Sequence, residues 1–208
     1  MIPVVLVLLE SDYPGIRVVL REDLGADMQE AVRNGRVDFA IGPYSDVPDT
    51  LSFEPIFAQK FFLILRCEHP LAIRGNAQLA DLDALELLCA STGSTARDVL
   101  ETATRSAGLT IRPKYETMHY PTLFAMASAG LGATVMLAVN PDVLVAMGLK
   151  AVPILGVQLL RPIGTIRHRG EPHSPAGTAF LQMVRFTAAQ MQERLGLIAC
   201  PAAIDQPF

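Results

Sequence analysis

The sequence has 208 residues, half of them apolar and 18% charged, with a formal net charge of −4. Such a chain can pack one large α/β domain or two small lobes, and wholesale disorder is excluded. The acidic balance and the lack of any Lys/Arg run exclude the clustered basic face that direct nucleic-acid binding wants, so action on DNA would need another segment of polypeptide.

At the N-terminus, Ile2 to Leu9 is apolar but stops at Glu10, far short of the roughly 20 residues of a membrane span. It has neither a basic leader nor a small-residue cleavage site, so a cytoplasmic protein with no membrane contact is expected. Pro3 suits the first turn of a helix that Tyr13-Pro14-Gly15 ends. Ile16 to Leu20, β-branched around Arg17, reads as a strand. Asp27 to Asn34 carries helix formers, with Gly35 as C-cap. Val37 to Ile41 reads as a strand ending at Gly42-Pro43, followed by strands over Leu51 to Phe57 and Phe61 to Leu65.

Beyond Arg66 the pattern continues with a helical turn at Ala80 to Ala84 and a strand at Leu85 to Ala90. Thr95 to Ala107 is a helix with Ser94 as N-cap and Gly108 closing it. Tyr115 to Met118 is a strand, Thr122 to Ala129 a helix, Ala133 to Leu137 a strand and Pro141 to Met147 a short helix. Strands follow at Lys150 to Ile154 and Pro162 to Arg167. Pro175 to Leu195 is a long helix capped by Ser174, and Gly196 to Phe208 a loosely held tail. This alternation argues for an α/β fold with largely parallel sheets. The chain leaves a first lobe near Leu65 and returns near Pro162. The division is therefore 1–65 with 162–208 as lobe I and 66–161 as lobe II, hinged by two crossovers with a ligand cleft between them.

Several segments in this order resemble one family. Tyr13-Pro14-Gly15-Ile16-Arg17-Val18, Glu30-Ala31-Val32-Arg33-Asn34-Gly35-Arg36-Val37-Asp38-Phe39-Ala40-Ile41, and His69-Pro70-Leu71-Ala72 with Leu79-Ala80-Asp81-Leu82 are similar to the effector-binding domain of LysR-type transcriptional regulators. Ala129-Gly130-Leu131-Gly132-Ala133 and Ser174-Pro175-Ala176 continue the match. The resemblance implies two Rossmann-like lobes similar to periplasmic binding proteins and a small-molecule effector in the cleft. It also implies an antiparallel side-by-side homodimer, with a tetramer open for the full-length form, and DNA contact only through an N-terminal winged helix-turn-helix. That domain and the family's first strand find no counterpart before Met1-Ile2-Pro3. A solute-binding protein of a transport system is the alternative, and it would call for a signal peptide.

The residues themselves point to candidate effector contacts. Thr92-Gly93-Ser94-Thr95 places hydroxyls and free N–H groups at a helix start, an anion receptor, and the resemblance implies effector carboxylates nearby; equally, Ser94 serves simply as a cap. Gly42 and Pro43 end a strand and line the cleft or merely form a turn. His119 and Tyr120 open a helix and offer polar tips, or hold local structure. Ala138 follows a strand end as apolar wall. In the first helix, the family's alignment turns Leu6 and Leu9 to the core and leaves Val4, Val5, Val7 and Leu8 for a partner surface; the rival is that this β-branched stretch becomes a strand. His168 and His173 read as solvated turn residues. Cys67, Cys89 and Cys200 fit neither a disulfide framework nor paired zinc spacing. No nucleophile elbow or phosphate loop occurs, so neither catalysis, a metal nor a cofactor is expected.

Overall fold

A computed structural model describes the chain except residues 24, 45–46, 138–139, 192–196 and 199–208. The described residues form two compact units, one of Met1–Ala58 with Pro162 through the last helix, the other of Gln59–Arg161.

In the first unit, α1 (Ile2–Asp12) forms as expected, with Pro3 in its first turn. Its β-branched residues take the helix because Val5 and Leu9, one turn apart, find an apolar seat where α1 packs on α7 (Pro175–Gln190). Val5 is 0% exposed. It is thus a core residue and not, as expected from the sequence, part of a partner surface. Ile16 to Leu20 is not a strand: no ladder partner exists for it among the described residues, and Val19 is 80% exposed. A strand is a pairing, not a propensity, and this stretch lacks the pairing. The next helix, α2 (Gly25–Arg33), turns at Gly35 into β1 (Ala40–Pro43). β1 runs antiparallel to β9 (Leu160–His168), with Ala40 opposite Ile166 and Pro43 opposite Ile163. Val32, Leu51 and Ile166 make a closed apolar knot. Ser174 caps α7 by accepting the Gly177 N–H at 3.1 Å. In the expected tail, Leu197–Ile198 is a short strand, β10, paired with the strand that begins at Leu51; the rest lies outside the described residues.

The two strands expected between Leu51 and Leu65 are one, β2 (Leu51–Arg66), since no breaker interrupts Ala58-Gln59-Lys60. Within the second unit β2 is flanked antiparallel by β6 (Thr134–Leu137) and β7 (Leu149–Val152). Parallel pairing holds only for β3 (Ala77–Gln78) with β8 (Ile154–Leu155) and β4 (Leu87–Ala90) with β5 (Pro113–Thr117) among the named pairs. The expectation of largely parallel sheets is corrected accordingly. Helices α3 (Pro70–Arg74), α4 (Thr95–Ser106), α5 (Tyr120–Ser128) and α6 (Pro141–Ala146) belong to this unit, and its core includes Phe61, Leu63, Leu88, Leu100, Leu123 and Met136. The Ala-Gly-Leu-Gly turn after α5 needs its second glycine, because a Cβ on Gly132 would stand 2.1 Å from the Glu86 carbonyl oxygen.

Candidate functional site

The second unit brings the starts of α4 and α5 to one side chain, Arg161. At α4, Gly93 takes the left-handed conformation (φ 84°) and Ser94 caps the helix, its Oγ accepting the Arg97 N–H at 3.2 Å. The Ser94 oxygen is thereby committed to structure, while Thr92 and Gly93 stay exposed. Thr95, the first residue inside the helix, accepts a hydrogen bond on Oγ1 from Arg161 Nη1 at 3.3 Å. At α5, His119 occupies the cap position without a side-chain cap and stays exposed, its N–H donating to Thr117 Oγ1 at 3.2 Å. Tyr120 follows, and its hydroxyl also accepts from Arg161 Nη1, at 3.3 Å.

Gln59 completes the ring. Its Oε1 accepts from Arg161 Nε at 3.1 Å and from Nη2 at 2.7 Å, and the Phe61 ring lies 6.0 Å from the guanidinium carbon. Arg161 is half-buried, and all its side-chain hydrogen-bond partners among the described residues are neutral. Two helix N-termini, positive by their dipoles, thus face a cation that no carboxylate among the described residues balances. Such a cluster is poised for an anion. Neither Gln59 nor Arg161 stands out in the sequence; the one available signal was a charged residue inside the apolar run Leu159-Leu160-Arg161-Pro162-Ile163.

The remaining predicted residues fall elsewhere. Gly42 is buried in the first unit with the Met28 thioether packed where its Cβ would stand (2.6 Å), and Pro43 ends β1 half-buried. Ala138 lies outside the described residues. On α1, Val4 and Val7 are exposed and Leu8 is half-buried.

The two expected turn histidines are not free in solvent. His168 Nε2 lies 3.1 Å from the Val32 carbonyl, and His173 stands edge-on to Phe39 at 5.1 Å between ring centres. Burial, and then the neighbouring Arg167 charge, hold the His173 pKa below the usual imidazole value. Cys67 is exposed; Cys89 is buried, its thiol pKa pushed up to about 11 mainly by burial. Among the described residues, no group of three or more His, Cys, Asp or Glu side chains is placed to hold a metal ion, and no helix is long and apolar enough to cross a membrane.

Residues 1–189 match the LysR substrate binding domain. The chain belongs to this family. This LysR domain is 23% identical over 185 residues to the transcriptional dual regulator GltC of Bacillus subtilis, a match covering 88% of this chain and 62% of GltC. It thus spans about six-tenths of that relative's length. Its fold is shared by the effector-binding domain of QuiR in complex with shikimate, with a TM-score of 0.77 at 17% identity, covering 91% of each chain. The BenM effector-binding domain with its effector benzoate superposes with a TM-score of 0.78 at 17% identity, covering 99% of this chain and 91% of that one. The LysR domain is therefore α/β and periplasmic-binding-protein-like, and the matched relatives are transcriptional regulators.

Proposed function

We propose that this domain senses a small carboxylated metabolite and passes its presence to a DNA-binding segment carried elsewhere in a full-length regulator. The observation that carries the reading is Arg161: a cation ringed by Thr95, Tyr120 and Gln59, at the starts of two helices, without a carboxylate partner among the described residues. Shikimate and benzoate, the ligands of QuiR and BenM, are both carboxylates. In this reading Thr92 and Gly93 shape the approach through their backbone N–H groups, while Ser94, its own N–H given to the Ser91 carbonyl, holds the turn. His119 and Tyr120 orient the ligand from the α5 side. A ligand acts only through unequal affinity for two arrangements of the protein, so the effector biases an equilibrium rather than driving a step.

The chain works as a sensor, not an enzyme, in the cytoplasm, and it pairs as an antiparallel homodimer through α1, by exposed Val4 and Val7 with half-buried Leu8, with a tetramer open to the full-length form. Its relatives being regulators favours this over a transport solute-binding protein.

Calorimetric titration of the wild-type chain and of Arg161→Gln with benzoate, shikimate and a panel of aliphatic acids tests the site. Binding in the wild type and at least roughly 30-fold weaker binding in the variant are expected. Equal affinities, or no binding across the panel, would overturn the proposal.

A further inference from the structure

We infer that Gln59 is the residue that makes this site selective for a single negative charge, by occupying with a neutral amide the position an acid would take against Arg161; the inference rests on the effector site proposed above.

The hydrogen-bond directions lead there. An arginine only donates, so Arg161 claims acceptor capacity from each neighbour: Gln59 Oε1 at 3.1 and 2.7 Å, Thr95 Oγ1 at 3.3 Å and the Tyr120 hydroxyl oxygen at 3.3 Å. The amide orientation follows from the same fact, because Gln59 Nε2 facing a guanidinium would set donor against donor. Each neighbour then has hydrogens left to turn away from Arg161: the Gln59 amide N–H pair, the Thr95 hydroxyl hydrogen and the Tyr120 phenol hydrogen. The shell offered to a ligand is rich in donors and carries one net positive charge.

A carboxylate accepts from all of these groups and cancels the charge. A primary amide of the same shape presents one oxygen and one NH2, and the NH2 faces donors. An amine adds a second cation. Gln59 makes the distinction because its side chain has the same shape as glutamate. A glutamate there would accept the same Nε and Nη2 hydrogens of Arg161 and cancel the charge internally, leaving an anion nothing to neutralise. Arg97 in this same unit shows that outcome, held by Glu101 and Glu116. Gln59 is therefore a positioning and specificity-determining residue, acting on the ligand through Arg161 as well as through its own amide.

The test titrates wild type, Gln59→Glu, Gln59→Ala and Arg161→Gln with benzoate and with its neutral isostere benzamide, and records thermal unfolding of each. Wild type is expected to prefer benzoate over benzamide by at least tenfold. Gln59→Glu is expected to bring that preference close to unity with an unfolding temperature equal to or above wild type. Gln59→Ala is expected to keep the preference while weakening benzoate binding severalfold, since the charge remains but is less well held. A merely structural role for Gln59 would lower the unfolding temperature of both variants and leave the preference intact. If Arg161→Gln abolishes the preference but Gln59→Glu does not, the inference about Gln59 falls and the site stands. If wild type itself does not favour benzoate over benzamide, the site reading falls with it.

Discussion

Two arginines of the second unit, 64 positions apart in the chain, answer the same electrostatic problem in opposite ways. Arg97 is only 6% exposed and is closed off by Glu101 at 2.6 Å and Glu116 at 3.3 Å. Burial pulls its pKa down, but the bond to Glu101 and the nearby acidic charges outweigh that and leave it raised. Arg161 lies at the far end of the same unit's chain, more open, with hydroxyls and an amide where Arg97 has acids. A charge with its counter-charge built in is a structural fastening. One without it is, on the function proposed above, completed by a ligand that comes and goes.

The sharpest way to break the contrast is to remove each cation in turn. Arg97→Leu strips two carboxylates of their partner in a nearly closed site and is expected to cost on the order of 3 kcal/mol of stability in urea unfolding. A loss below about 1 kcal/mol would show that Glu101 and Glu116, both partly exposed, recover their solvation without it. Arg161→Gln should reverse the pattern. Stability should change by under about 1 kcal/mol, while carboxylate affinity falls by about 2 kcal/mol as read by calorimetry.

A finer version compares neighbours in the α4 turn. Ser94→Ala should cost about 1 kcal/mol of stability through the lost cap. Thr95→Val should leave stability nearly unchanged and weaken benzoate binding severalfold, because of the two hydroxyls Ser94 and Thr95 it is the Thr95 oxygen that touches Arg161. If the two effects came out exchanged, the assignment of cap and contact would be wrong.

Cysteine chemistry adds a smaller test of how closed the Arg97 surroundings are. With its thiol pushed up to about 11, Cys89 should resist iodoacetamide at pH 8 in the folded protein, while exposed Cys67 is alkylated. Mass spectrometry of the labelled peptides decides it.

The least effect is expected in the first unit. His173 has a lowered pKa when folded, so the unfolded chain binds the extra proton first on acidification. Its contribution to stability is fully present above the unfolded value near 6.5 and shrinks as pH falls below that toward the folded value. Unfolding midpoints of His173→Phe should show a shallower pH dependence than wild type between about pH 7 and pH 5.

Much of the local architecture was legible beforehand, and the legible parts share a cause. Ser94 and Ser174 cap their helices, Pro3 and Pro175 open theirs, and Gly35, Gly108 and Gly130 take the left-handed turns that end helices. These outcomes depend on atoms within four or five residues of each other, so the order of residues contains them. The order of several such segments also carried the resemblance to the LysR family.

What the tertiary structure decided depended on distant partners. Val5 entered the core because α7, some 170 residues later, supplies the surface it packs on. Ile16 to Leu20 has every mark of a strand and is none, for want of a neighbour. The pairing among the described residues proved mixed, because β2 is flanked by strands running against it while β3 with β8 and β4 with β5 run parallel. Above all, Arg161 meets Gln59 across 102 positions, Thr95 across 66 and Tyr120 across 41. A charge's meaning lies in what stands within a few ångströms of it, and only folding brings those groups there.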